Sequence, residues 1–287
     1  MTTDPQANRV HVDRVSPAGR TSEPDLLAIE EPLEIRLNFE LAGRLAQKSI
    51  SITMRTPGDD FALAAGFLFS EGIVRKPADI AEIAYCIDPK SDAPNPNIVR
   101  VTLSPDTRFD AARLHRNFYT TSSCGVCGKA SLEALRTQGC PTLAAGPTIS
   151  EALIHALPQR LRTAQRCFEL TGGLHAAALF TPKAELIAIC EDVGRHNALD
   201  KLIGQALLAG QSRLDDHILV VSGRTSFEII QKALMAAISI VVAVGAPSTL
   251  AVDLAHEHAM TLLGFVRDQR FNIYNAPERI TPCASQP

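Results

Sequence analysis

The chain lacks a charge excess, a long apolar run and a matched set of cysteines, and each absence removes a class of protein. Its formal net charge is −3 over 287 residues. Nothing therefore draws it to a phosphate backbone, and no nucleic-acid partner is expected. The longest apolar stretch, ALMAAISIVVAVGA at 233–246, contains Ser239 and falls short of the ~20 residues that a membrane-spanning helix needs. No membrane partner is expected either. The first residues, MTTDPQANRVHVDRVSPAGRTSEPD, are polar and carry no apolar segment of an export signal. Seven cysteines, an odd number without such a signal, argue for reduced thiols and a cytoplasmic location rather than a disulfide framework. GxGxxG, P-loop and fixed-period repeats are also missing.

What is present reads as two folded units behind a tail. Residues 1–25 are rich in Pro, Ser, Thr, Asp and Arg without periodicity, and the composition predicts a disordered tail. Over 26–108 the pattern is ββαββ, a small α+β domain. Two strands, LEIRLNFELAG and LAQKSISITMRT, precede a helix from Asp59 or Asp60 to Gly72, and IAEIAYCID and NIVRVTLSP supply two more strands.

Residues 109–287 hold a connector and an α/β domain. The connector contains a predicted helix, KASLEALRTQG, stopped by Gly139 and Pro141. A second helix begins at the cap Ser150, and Pro158 is expected to kink or split it. From Leu170 the order reads ββαβαβαβ, with GFVRDQRFNIY as the last strand. Apolar strands such as Ile218–Val221 and Ile240–Val244 suit a sheet covered on both faces.

The chemistry-bearing residues fall in three groups. Three strand-to-helix corners, EDVGRHN (191–197), SGRTS (222–226) and GAPST (245–249), follow apolar strands, where helix N-termini favour anions. Ser222, Arg224, Thr225, Ser248 and Thr249 are candidate ligand contacts there; Ser226, Thr249 and Asn197, taken singly, read as helix caps before they read as contacts. His196 has the character of a general acid or base, or of a helix-start histidine. His175 reads as a core or edge residue. Arg267 and Arg270, in FVRDQRFNIY, form the second group, which reads equally well as a solvated strand edge of alternating charge.

The third group is SSCGVCGKAS, residues 122–131, with Cys124 and Cys127 three apart. A zinc half-site needs two further ligands, and the chain has no second CxxC. A redox couple of thioredoxin type would sit after a buried strand, whereas RNFYTTSS reads as loop. A sulfur carrier would use one thiolate to hold a sulfane sulfur and the other to displace it. The residues alone leave the last two readings open. Cys86, Cys167 and Cys190 read as small buried hydrophobes.

Taken together, SSCGVCGKAS, TPGDDFALAAGFLFSEGI, TGGLHAAALF, EDVGRHNALDKLIG, SGRTSFEIIQKA, GAPSTLAVDLA and GFVRDQRFNIY resemble the FdhD proteins, accessory sulfur carriers of formate dehydrogenases. The resemblance runs from about residue 30 to 280. It implies a cytoplasmic homodimer whose second domain is a three-layer α/β fold like that of cytidine deaminases. It implies sulfur taken from an IscS-type cysteine desulfurase and passed to the molybdenum bis-guanine-dinucleotide cofactor, which then enters the formate dehydrogenase apoenzyme. Cys124 would bear the persulfide and Cys127 assist. The cofactor-binding segment would be Phe265, Val266, Arg267, Asp268, Gln269 and Arg270, where Asp268 replaces a glycine common in the family. The H-x-E and P-C-x-x-C signature of zinc deaminases is absent, and no side-chain-bound metal is expected. The alternative is a cofactor or apoenzyme chaperone, zinc-binding or metal-free, that transfers no sulfur.

Overall fold

The computed structural model describes residues 5–41, 43–107, 143, 145–267 and 269–283. The expected connector helix at 129–139, Cys124, Cys127, Cys140 and Asp268 lie outside the described residues.

The amino-terminal stretch departs from the expected disorder. β1 (Ala7–Ser16) and β2 (Gly19–Ala28) form an antiparallel hairpin with an unbroken register from Ala7↔Ala28 to Ser16↔Gly19. Its surface is mostly exposed, which is why composition concealed it. Alternation of Val10 and Val12, the left-handed Gly19 at the turn and the Arg14–Glu23 ion pair of 2.7 Å favour the ladder. Gln6 holds its base, donating from Nε2 to the Pro57 carbonyl at 2.9 Å.

The small unit matches the ββαββ order. β3 (Glu31–Leu41), β4 (Arg44–Arg55), β5 (Ile80–Ile87) and β6 (Pro94–Leu103) make a sheet in the order β4-β3-β6-β5, with α1 (Asp60–Ser70) against one face. Leu33, Ile35 and Leu37 alternate inward along β3 and are fully buried. The expected aspartate cap is absent: Asp59 sits in the left-handed region at φ 56° and makes no side-chain capping bond. Asp60 is instead an interior anchor. It accepts from Arg55 Nε at 2.9 Å and Nη2 at 3.1 Å, and from the Tyr85 hydroxyl at 3.0 Å. Cys86, expected to be buried, is half-exposed on β5, whereas Cys167 and Cys190 are buried.

The second unit begins with β7 (Ile149–Ser150), α2 (Glu151–Ala164) and α3 (Arg166–Thr171). Ser150 caps α2 by accepting from Leu153 N. Pro158 is accommodated inside a continuous α2, and the break falls at Gln165 instead. There follow β8 (His175–Phe180), β9 (Leu186–Asp192), α4 (Arg195–Leu208), β10 (Ile218–Val221), α5 (Phe227–Met235), β11 (Ile240–Ala243), α6 (Thr249–Glu257), β12 (Thr261–Arg267), β13 (Arg270–Asn275) and β14 (Ile280–Thr281). The sheet order is β13-β12-β11-β10-β8-β9. GFVRDQRFNIY is thus a hairpin of two strands rather than one strand. β10, β11 and β12 run parallel, while β8 is antiparallel to both of its neighbours.

One core cluster, with Ile154, Leu157 and Leu161 of α2, covers one sheet face; α4, α5 and α6 cover the other and continue into the small unit. The two units meet where α1 crosses α4 at Gly66 and Gly204. A Cβ on Gly66 would collide with the Asp200 carbonyl, and one on Gly204 with the Ala62 carbonyl. A buried polar seam continues the junction. Lys201 Nζ lies 2.8 Å from Asp192 Oδ2 and donates to the Thr56 carbonyl, also at 2.8 Å. Asn197 Nδ2 donates to the Met54 carbonyl at 2.8 Å and to Asp192 Oδ1 at 3.0 Å.

Candidate functional site

The strand directions place the carboxyl ends of β9, β10, β11 and β12 along one edge of the sheet, where His175 also begins β8. The corners at this edge are tied by backbone hydrogen bonds. Thr225 N donates to Ala246 O at 3.1 Å, Ser248 N to Thr225 O at 3.0 Å, and Gly245 N to Gly223 O at 3.1 Å. Gly245 permits this approach, since a Cβ there would stand 2.8 Å from the Gly223 oxygen. Phe265 N donates to Gly245 O at 3.0 Å and joins the final hairpin to the same corner.

Phe265 adopts φ 54° at an irregularity in the β12–β13 register. A left-handed conformation is unusual for so bulky a residue and is retained where surrounding contacts over-determine it. It alters the alternation that follows. Val266 is fully buried beneath α2, whereas Arg267, Gln269 and Arg270 are exposed.

A cavity of about 650 Å³ opens between α2, α3 and this edge. Arg162, Gln165, Phe168, His175, Ser222 and Arg267 are among its lining residues. Among the proposed cofactor contacts, it brings together Ser222 and Arg267. Arg224, Thr225, Ser248 and Thr249 belong to the adjoining corners and do not line it. Ser222 is held by β8: its N donates to Ala176 O at 3.0 Å, and its Oγ accepts from Ala176 N at 2.9 Å. Arg224 is exposed, while Thr225 is buried, with no partner for Oγ1 among the described residues. Ser248 caps α6 by accepting from Ala251 N, and Thr249 is the first residue of that helix.

Ser226 and Asn197 are not side-chain caps. Asn197 serves the seam between the units. Ser226 Oγ lies 3.0 Å from His196 Nε2, which is 2.9 Å from Glu228 Oε2. The hydrogen bond from His196 is the main reason that the Glu228 carboxyl is held below its usual range. Burial is the main cause that lowers the His175 pKa, reinforced by nearby Arg195 and His196, with Asp192 opposing. Neutral imidazole is therefore favoured at the cavity wall.

The residues that sequence reasoning did not anticipate come from α2 and α3. Arg162 lies 4.3 Å above the Phe168 ring, and His155 stands 5.1 Å from the ring of Phe271. No spacing motif marks them; Arg162 and Phe168 meet because α2 ends at Gln165 and α3 departs in a new direction, whereas Phe271 reaches α2 from β13. Among the described residues, no group of three or more His, Cys, Asp or Glu side chains is arranged to hold a metal ion. No helix there is long and apolar enough to cross a membrane.

Fold and cavity define a two-unit α/β protein with a cationic, partly aromatic recess at its strand ends, a setting suited to an anionic ligand. The profile of the FdhD/NarQ family matches residues 28–281, and the chain belongs to that family. It is 51% identical over 275 residues to the sulfur carrier protein FdhD of Streptomyces avermitilis, covering 95% of each chain. The protein of the same name from Sulfolobus acidocaldarius is 40% identical, over 96% of this chain and 99% of the relative. A crystal structure ascribed to a formate dehydrogenase accessory protein of Desulfotalea psychrophila superposes with a TM-score of 0.71 at 26% identity. The match covers 96% of this chain and all of that one.

Proposed function

We propose that this chain is a cytoplasmic, homodimeric sulfur carrier that serves the maturation of formate dehydrogenase. Its donor is an IscS-type cysteine desulfurase, and its acceptor substrate is the molybdenum bis-guanine-dinucleotide cofactor, which then enters the apoenzyme. The observation that carries the reading is the cationic strand-end cavity, with Arg267 in its wall, in an FdhD/NarQ chain that also contains CGVCG. Relatives named as sulfur carriers support it.

The chemistry balances with thiols alone. The Cys124 thiolate attacks the outer sulfur of the desulfurase persulfide, forming a Cys124 persulfide and releasing the desulfurase thiolate. Cys127 thiolate then attacks the inner sulfur. A Cys124–Cys127 disulfide forms and the outer sulfur leaves as hydrosulfide, the two electrons coming from the thiol pair. A cellular dithiol reductant returns the pair to thiols. Arg267 and Arg270, with the neighbouring corners, hold the phosphates of the dinucleotide arms.

Reconstitution tests this reading. With desulfurase, cysteine, cofactor and apo formate dehydrogenase, the wild-type chain should restore formate oxidation and Cys124→Ala should not. Activity restored fully by Cys124→Ala would sink it. Stoichiometric zinc that is lost on mutating either cysteine would favour the chaperone instead.

A further inference from the structure

We propose that α3 is a gate on this cavity and that the β1–β2 hairpin is the strap that holds it closed; the identity of the ligand that passes rests on the reading above. Phe168, Gly172 and Gly173 line the cavity, so α3 and the glycines after it form one wall. The ties of this wall to the rest of the molecule are peripheral. Among the described residues, neither hydrophobic core cluster includes a residue of α3 or of the hairpin. A segment with no share in the core opens at a fraction of the global unfolding free energy.

A hinge stands at each end. Gln165 closes α2 with φ −77° and ψ 85°, outside helical geometry, and Gly172 stops α3 at φ 67°, with Gly173 next. Glycines absorb such backbone changes without steric cost. Polar contacts keep the segment shut. Glu191 of β9 accepts from the backbone N–H of Cys167 at 2.9 Å and of Phe168 at 2.8 Å. Arg162 of α2 stands over the Phe168 ring and lies 2.8 Å from Glu169 Oε2, an exposed pair of small worth. On its outer side α3 packs against β1 and β2. The hairpin meets the small unit at its base, where Gln6 bonds to Pro57, and its tip at Ser16–Gly19 is exposed. Strap and α3 can therefore swing as one piece.

A reversible lock tests the gate. A Cβ on Gly173 would lie 3.6 Å from that of Ala28, a spacing that a disulfide spans. In the full-length Ala28→Cys/Gly173→Cys protein, hydrogen exchange of α3, read by mass spectrometry, should slow at least about tenfold on oxidation and recover on reduction. Exchange in α4 should stay the same. Glu191→Gln, which weakens two charge-assisted bonds, should speed exchange in α3 roughly tenfold. With GDP as the probe, oxidation should slow association and dissociation by one common factor and leave the affinity within about twofold, the signature of a gate rather than of a contact. Exchange in α3 as slow as in α4 in the unlocked protein would overturn the proposal, since α3 would then open only with the whole molecule. Nucleotide rates indifferent to the lock would overturn it as well. If GDP does not bind at all, the cofactor reading fails, while exchange still decides whether α3 opens under the strap.

Discussion

His175 shows how one side chain reports on the cavity wall. Its folded-state pKa lies below the ordinary value near 6.5, mainly through burial. The unfolded chain therefore binds the proton more readily, so stability is highest above about pH 6.5 and declines as the pH falls below it. Replacing His175 by Gln should flatten this acid-side slope, measured as the change in unfolding midpoint between pH 7.5 and 5.5. An unchanged slope would mean that the histidine is not held neutral. Cys190 gives a second residue-scale outcome. Burial drives its thiol up to about 12, so alkylation of native protein at pH 8 should spare Cys190 and label exposed Cys283. Labelling of both at equal rates would contradict the burial.

At the scale of elements, the strands of the small unit were legible because one face is buried and the alternation along β3 is clean. The final hairpin was not, since the alternating charges of FVRDQRFNIY read as the edge of one continuous strand. The left-handed Phe265 and the turn after Arg267 carry no compositional mark. The β1–β2 hairpin escaped for the opposite reason: it buries too little for periodicity to appear. Pro158 misled because a helix with tertiary support can forgo one hydrogen bond, and Ser226 because a residue at a helix start has uses other than capping. The crossing of α1 and α4 invites a direct test. Gly204→Ala inserts a methyl group against the Ala62 carbonyl and should cost about 1–3 kcal/mol or more in denaturant unfolding. Full stability would show that the helices can separate without loss.

For the whole molecule, the two units act as one because charged groups are buried between them. Asp192 and Lys201 are both fully buried, and each also bonds to Thr56 from the small unit. Removing one partner leaves the other charge uncompensated. Lys201→Met should therefore destabilise the protein by about 3–5 kcal/mol, with both units lost in a single transition. Two separated transitions would contradict the coupling. The sequence carried the motifs of this junction, TPGDD and EDVGRHN, as separate strings, and only the fold shows that they face each other. Likewise the corner motifs were visible, but the α2–α3 wall of the cavity depends on where a helix breaks, which no short pattern encodes.

The central claim is that Cys124 carries sulfur, and intact-mass measurement after incubation with desulfurase and cysteine tests it most directly. Wild type should gain about 32 Da, one sulfur atom, reversible by thiol reductant. Cys124→Ala should gain nothing, and Cys127→Ala should gain the mass and retain it longer. A Cys124→Ala protein that acquires the same mass and still supports formate dehydrogenase would contradict the account.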